Sequence, residues 1–259
     1  MMYLARICSI NDPAEREKAS EDLVGWTKRA CWVLDGASST STESHFETIR
    51  LVNTVASGIL HEALAGQVDP RHLLRSGLAR AAKIEFKKEV PSASGLVAVL
   101  DEGLLHYAIL GDVTLVVVTG PKISIVNDPK SVERERKYLE EPAGLEQALQ
   151  RVRRNMNKAG GYWIISDDPA AADHARTGSI GVERTTAILI ASDGFARLVD
   201  LFGTTSWTDL TEMTILAEDL APSVGKLRVM ESEESSMSLY PRAKIHDDAS
   251  AALFRIKTE

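Results

Sequence analysis

The sequence predicts an α+β protein whose sheets are mainly antiparallel and covered by helices. The chain has 259 residues, 44% of them hydrophobic, which is enough for a substantial core. Short apolar runs rich in Val, Ile, Leu and Thr end at Gly, Asp, Asn or Pro, as strands do. Helix pairs separate the hairpin-like strand pairs, and this arrangement favours helix-covered antiparallel sheets.

In chain order, the first strand-like runs are YLARICSI and ACWVLD. Two helical segments follow. Ser44 and Glu47 have capping-box spacing at the start of the first, and the second extends from DPRHLL to about Lys88. The runs GLVAVLD, LLHYAIL, TLVVVTG and KISIVND then predict four strands.

The second half begins with a charged block over 131–160, which is helical in composition and broken near Pro142. Strands are expected again at GYWIIS, TTAILIASDG and DASAALFRI. Between the last two, residues 208–220 and 223–234 are expected to form helices.

Composition argues against several classes of function. A formal net charge of -7 argues against a nucleic-acid-binding face. No apolar run approaches the ~20 residues of a membrane helix, and the start lacks a secretory signal, so we expect a cytoplasmic protein without a membrane segment. Cys8 and Cys31 lack metal-type spacing and are expected in the core. With no repeat or low-complexity linker, residues 1–259 are expected to form a single domain.

Acidic residues mark the ends of several apolar runs. Asp35, Asp112 and Asp193 follow such runs, and Asp247 and Asp248 precede the last one. Each alone is consistent with an ordinary turn, because Asp and Gly are favoured turn residues. Carboxylates gathered at one sheet edge would instead repel, and a cation would relieve that repulsion. The repeated pattern therefore predicts an acidic cage for a hard divalent ion such as Mg²⁺ or Mn²⁺.

Five segments carry a resemblance to a known family: VLDGAS, SASGLVAVL, LLHYAILGDVTLVVV, ILIASDGFARLVD and HDDASAALFRI. In this order they resemble the motifs of the metal-dependent Ser/Thr protein phosphatases of type 2C, and they span nearly the whole chain, as in a divergent, bacterial-like member. The resemblance implies a four-layer αββα sandwich of two mainly antiparallel sheets flanked by helix pairs. It also implies hydrolysis of phosphoserine and phosphothreonine monoesters through a metal-activated water, with two Mn²⁺ or Mg²⁺ ions and, in many members, a weaker third.

The resemblance also implies roles for individual residues. Asp35 would bridge the two ions, with the carbonyl of Gly36 facing one of them, and Asp193 and Asp247 would complete one metal site. Glu21 would reach the second ion directly or through water, with Asp22 outside it. Asp112 corresponds to the acid that helps Asp193 hold the third ion.

The sequence departs from the family at the phosphate contact. The family usually has an Arg four residues before its N-terminal acid, and Glu17 stands at that position. We expect Arg16 or Lys18 to supply the phosphate-binding cation, with Arg6 as a further alternative. The family's residues after the first Asp-Gly and after the hairpin Asp are also replaced.

These departures leave two other functions open. One is a pseudophosphatase that serves as a regulatory binding module. The other is a phosphatase of small metabolites with a reshaped pocket. On the main hypothesis the partner is a phosphorylated protein, and the enzyme opposes a Ser/Thr kinase in signalling.

His246 is next to Asp247 in the chain. It could act as a group that contacts the metal ligands from outside, or as a proton donor, although strand alternation would direct its side chain away from that of Asp247.

Overall fold

The computed structural model describes residues 2–37, 42–87, 90–128, 154–183 and 186–259. The strands of these ranges form two five-stranded sheets, in which all neighbouring strands pair antiparallel. In order across the first sheet lie β1 (Met2–Asp12), β10 (Ala249–Thr258), β9 (Ala187–Ala191), β6 (Thr114–Thr119) and β7 (Lys122–Val126). The second sheet contains β2 (Leu23–Trp26), β3 (Ala30–Gly36), β4 (Ala93–Asp101), β5 (Leu104–Leu110) and β8 (Arg176–Gly181).

Helices cover the outer face of each sheet. The second sheet is covered by α1 (Thr42–Leu64) and α2 (Pro70–Ala81), with a short 3₁₀ helix at Pro169–His174. The first sheet is covered by α3 (Asp193–Asp200), α4 (Trp207–Ala217) and α5 (Ala221–Ser232), followed by the short α6 (Ser236–Leu239). None of the helices in the described ranges has both the length and the apolar character needed to cross a bilayer.

Alternation along the central strands produces three apolar layers. In β3, Trp32 and Leu34 pack towards α1 and α2, whereas Cys31 and Val33 pack between the two sheets. In β9, Leu189 packs towards the helices over the first sheet. Strands buried on both faces explain the nearly unbroken apolar runs in the sequence. The expected αββα sandwich is confirmed.

Both cysteines are core residues, as expected. Cys8 packs in the layer beneath α3 to α5, and Cys31 packs between the sheets. Burial raises the pKa of the Cys31 thiol to about 12. Burial, together with the charge of Asp219, raises that of Cys8 to about 11. Both thiols therefore remain protonated at neutral pH and are poor nucleophiles.

Several local expectations need correction. The run GYWIIS forms no strand, only isolated bridges between Ile165 and Ala93 and between Tyr162 and Met156. Strand β8 and helix α3 were not expected. Helix α1 begins at Thr42, so Ser44 lies inside the helix and is not its cap. Helix α2 ends at Ala81, well before residue 88. The charged block 131–160, with Pro142, falls largely outside the described residues.

Candidate metal centre

The acidic residues that end the apolar runs lie along one edge of the sandwich. Asp35 is near the end of β3, Asp193 begins α3 directly after β9, and Asp247 precedes β10. The end of β9 pairs with the start of β10 through Ala191 and Ala251. Antiparallel pairing therefore brings together acids that are far apart in the chain.

Asp35 and Asp193 connect the two sheets at this edge. The backbone N–H of Asp193 donates a hydrogen bond to Oδ2 of Asp35 over 3.1 Å. Beside them, a Cβ on Gly36 would lie 2.6 Å from both the Cβ and the carbonyl oxygen of Glu21. The Asp-Gly pair thus ends the strand with an acid and leaves room for the segment that carries Glu21.

The charges at this edge perturb one another. The pKa of Asp35 is raised well above its ordinary value, first by burial and then by the negative charges of Asp193 and Asp22. Asp112 and Asp247 add to the same rise. Carboxylates that raise each other's pKa in this way carry negative charge that a cation would stabilise.

Asp22 is the most isolated carboxylate of the group. It is buried, and neither of its oxygens has a hydrogen-bond partner of normal geometry in the described part of the chain. Burial raises its pKa strongly, with further contributions from Asp248 and Asp247, and the Ser192 hydroxyl offsets part of the rise. The outer position that the sequence analysis gave to Asp22 stays a prediction, and the charges of Asp248 and Asp247 show that its carboxylate is near the acids of this edge.

Asp247 contacts two cations that the sequence analysis missed. Arg197 Nη2 donates to its Oδ2 over 2.7 Å, and Lys244 Nζ donates to its Oδ1 over 2.5 Å. The other arm of Arg197 donates over 2.7 Å to the fully buried Glu231. Although burial works to lower the pKa of Lys244, the nearby Asp247 and other acids of the cluster raise it.

Asp248 holds the N-terminal acidic segment in place. Its Oδ2 accepts from the backbone N–H of Glu21 at 2.6 Å, and its Oδ1 accepts from the backbone N–H of Ala14 at 2.7 Å. A Cβ on Gly194 would lie 2.0 Å from the carbonyl oxygen of Asp248, so glycine is required there. The Asp248 carboxylate therefore accepts hydrogen bonds from backbone N–H groups, whereas the charge of Asp247 acts on the acidic cluster.

Glu21 and Asp112 have other partners. Glu21 Oε1 lies 3.1 Å from His45 Nδ1. The Ser94 hydroxyl donates to Asp112 Oδ1 over 2.5 Å. Glu21 is therefore directed to α1, and Asp112 is anchored to β4 while its charge still reaches Asp35. The contact between His45 and Glu21 was not expected from the sequence.

The cations expected at the phosphate contact are on the surface. Arg16 and Lys18 are exposed in the turn between β1 and β2, and Lys18 pairs with Glu15 over 2.7 Å. Arg6 lies over the ring of Trp26 with its guanidinium carbon 4.9 Å from the ring centre. Their assignment to a bound phosphate stays a prediction.

His246 differs from its expected geometry. It lies before the start of β10, so strand alternation does not determine its direction. Its Nδ1 lies 3.0 Å from Oε2 of Glu231. His246 thus belongs to the same ion network as Arg197, one residue away from Asp247 in the chain.

The donor chemistry of the cluster fits a hard divalent ion. Carboxylate oxygens predominate, and among the residues that the structure describes no donor reaches the buried oxygens of Asp22 at normal hydrogen-bond geometry. Within the described ranges, no three His, Cys, Asp or Glu side chains converge closely enough to ligate one ion as they stand. Asp247 in particular is directed to Arg197 and Lys244. The cluster thus has oxygen ligands suited to a hard divalent ion, but one of its acids, Asp247, forms ion pairs with basic side chains of the protein.

Sequence comparisons find no counterpart: no family model and no curated protein matches the chain. Solved structures do match along its whole length. The catalytic domain of the serine/threonine protein phosphatase PstP in complex with two manganese ions aligns with a TM-score of 0.63 and 13% identity, covering 100% of both chains.

Two further structures agree. The PPM Ser-Thr phosphatase MsPP from Mycobacterium smegmatis aligns with a TM-score of 0.55 and 15% identity over 96% of this chain and 97% of its own. RsbX in complex with magnesium aligns with a TM-score of 0.51 and 12% identity, over 99% of this chain and 100% of its own. The chain therefore has the fold of the PPM, or type 2C, phosphatases, with little sequence identity to these examples.

Proposed function

We propose that this chain, which has the type 2C phosphatase fold, is a metal-dependent phosphatase of phosphoserine and phosphothreonine in proteins. The observation that carries the proposal is the cluster of Asp22, Asp35, Asp193 and Asp247 at one edge of the sandwich, where burial and mutual repulsion raise the pKa values of Asp22 and Asp35. Solved structures with the same fold contain manganese or magnesium.

The proposed metal-binding residues are Asp35, Asp193 and Asp247, the carbonyl of Gly36, Glu21 directly or through water, and Asp112 for a third ion. Mn²⁺ or Mg²⁺ bound there would supply a water of lowered pKa and would neutralise charge on the phosphoryl group.

The chain's own residues hold this edge in shape. Arg197 fixes one oxygen of Asp247 from a buried position, and the Asp193 N–H fixes one oxygen of Asp35. Asp193 begins a helix, where the helix dipole favours a negative charge. Cys8 and Cys31 are buried thiols of raised pKa, so no cysteine nucleophile takes part.

A specific observation favours the pseudophosphatase alternative. Both oxygens of Asp247 contact basic side chains, so the acid is partly neutralised without a metal. Glu17 in place of the family's Arg points the same way. The acids Asp35 and Asp193 remain in place, and for this reason we prefer an active enzyme. The kinase that it would oppose, a signalling role and a cytoplasmic location stay predictions.

Orthophosphate release in Mn²⁺ tests the proposal. We expect turnover of a phosphothreonine peptide, loss of that turnover in excess chelator, and its return when Mn²⁺ is restored. Turnover of an aryl phosphate alone would favour a small-molecule phosphatase. Turnover that persists in excess chelator would contradict the metal mechanism, and a protein that binds metal but hydrolyses neither substrate would be a pseudophosphatase.

A further inference from the structure

Two basic side chains contact the acidic edge, and they differ in how firmly they are held. Arg197 is buried, with 8% of its side chain exposed, and it bridges Glu231 and Asp247 at 2.7 Å each. Lys244 has 36% of its side chain exposed and lies in the segment between α6 and β10. Arg197 is therefore a fixed counter-ion, whereas Lys244 reaches solvent.

A phosphate ligand at this edge requires a cation on its open side. A phosphoryl dianion brings negative charge to a site that already gathers carboxylates, so a nearby ammonium or guanidinium stabilises it. Arg16 and Lys18 are exposed in the turn between β1 and β2, and Lys18 is paired with Glu15. Lys244, by contrast, already lies 2.5 Å from an oxygen of Asp247.

We propose that Lys244 is the phosphate-binding cation of this site, an inference that rests on the proposed function. Its ammonium has three N–H donors, so it can hold Asp247 and donate to a phosphate oxygen at the same time. The unbranched stem of lysine allows this adjustment without movement of the main chain. The contact is thus supplied from the segment before β10 and not from the turn before β2.

The test measures the affinity of the Mg²⁺-saturated protein for orthophosphate by calorimetry, which requires no turnover. Lys244→Gln is expected to weaken orthophosphate binding roughly ten- to a hundredfold, the effect of one charge-assisted hydrogen bond. Lys244→Arg is expected to recover part of the loss. Lys28→Gln is the matched control, because Lys28 also pairs with a carboxylate, that of Glu259 over 2.7 Å, but on the exposed surface.

The same titrations are made with Arg16→Gln and Lys18→Gln, because these are the two cations that the sequence predicted for this contact, and we expect a smaller loss of orthophosphate affinity in either than in Lys244→Gln. The affinity for Mg²⁺ is measured in each variant and is expected not to fall in Lys244→Gln. Unchanged orthophosphate binding in Lys244→Gln would overturn the proposal. So would a parallel loss of Mg²⁺ and orthophosphate affinity, because Lys244 would then act only by supporting Asp247.

The outcomes separate this inference from the proposed function. Wild-type protein that binds orthophosphate through Lys244 but hydrolyses no phosphoester would support the inference and contradict the enzyme. Normal hydrolysis with orthophosphate binding that depends on Arg16 or Lys18 would support the enzyme and overturn the inference. If the wild type binds no orthophosphate, the phosphate site itself is refuted.

Discussion

Glu231→Gln removes the charge at the centre of the ion network behind Asp247. The side chain of Glu231 is 0% exposed, and it accepts from Arg197 at 2.7 Å and from Arg228 at 2.6 Å. Arg228 in turn donates to Asp12 at the end of β1. One buried carboxylate therefore connects α5 with α3, with β1 and, through Arg197, with the metal-binding edge.

The expected loss is large because the partners remain charged. Breaking a buried ion pair by removing one partner typically costs about 3–5 kcal/mol. Glutamine has nearly the same volume and keeps one carbonyl acceptor, so no cavity adds to the loss, and Arg197 still has Asp247 as a partner. We therefore expect a decrease of about 3 kcal/mol in the free energy of unfolding, a substantial part of the ~5–15 kcal/mol of a typical domain.

Equilibrium urea unfolding of the metal-free protein measures this loss. Glu233→Gln is the matched control, because it makes the same chemical change at an exposed position just after α5. We expect the control to remain within about 0.5 kcal/mol of the wild type. A loss for Glu231→Gln no larger than that of the control would refute the role assigned to the network.

Three further predictions concern the acidic edge. Gly36→Ala should lower the free energy of unfolding by about 1–3 kcal/mol, because the added Cβ would lie 2.6 Å from atoms of Glu21. Gly181→Ala is the control and should be nearly neutral, because a Cβ there has no atom within 4 Å among the described residues. Asp193→Asn should keep the fold, as checked by circular dichroism, but lower kcat/KM by about a hundredfold or more, because the amide lacks the charge proposed to hold the ion. Near-normal rates in this variant would mean that the site is misplaced. The pKa of Asp35 is raised in the folded state, so the folded protein takes up this proton at a higher pH than the unfolded chain, whose ordinary value is 3.8. Asp35 therefore stabilises the metal-free protein at low pH. This contribution to the free energy of unfolding is lost as the pH rises through the raised pKa. Thermal unfolding across pH should show this slope without metal and a smaller slope with Mn²⁺, and identical slopes would contradict it.

The central fold could be predicted because its strands are buried on both faces. Runs such as ACWVLD and TTAILIASDG combine continuous apolar character with clear turn residues at their ends. Strand β8, RTGSIG, was missed because it is an exposed edge strand with two glycines and no apolar alternation. The run GYWIIS has a strand-like composition, but it forms only two single-residue bridges, Ile165 with Ala93 and Tyr162 with Met156.

The candidate site was predicted in outline for a similar reason. Asp35, Asp193 and Asp247 each stand at the boundary of a strong apolar run, so the end of a strand fixes their position. Arg197 and Lys244 could not be found in this way, because a single charged residue on a helix or in a loop is usually solvated. Their role depends on tertiary contacts with Asp247, which no local pattern encodes.

Calorimetric titration of the metal-free protein with Mn²⁺ shows directly whether the acidic edge is a metal centre. We expect the wild type to bind two ions per chain. Asp35→Asn, whose fold is checked by thermal unfolding, should lose most of that binding because Asp35 is proposed to bridge both ions. A wild-type protein that binds no Mn²⁺, or an Asp35→Asn variant that binds it as tightly as the wild type, would contradict the claim that this acidic edge is a metal centre.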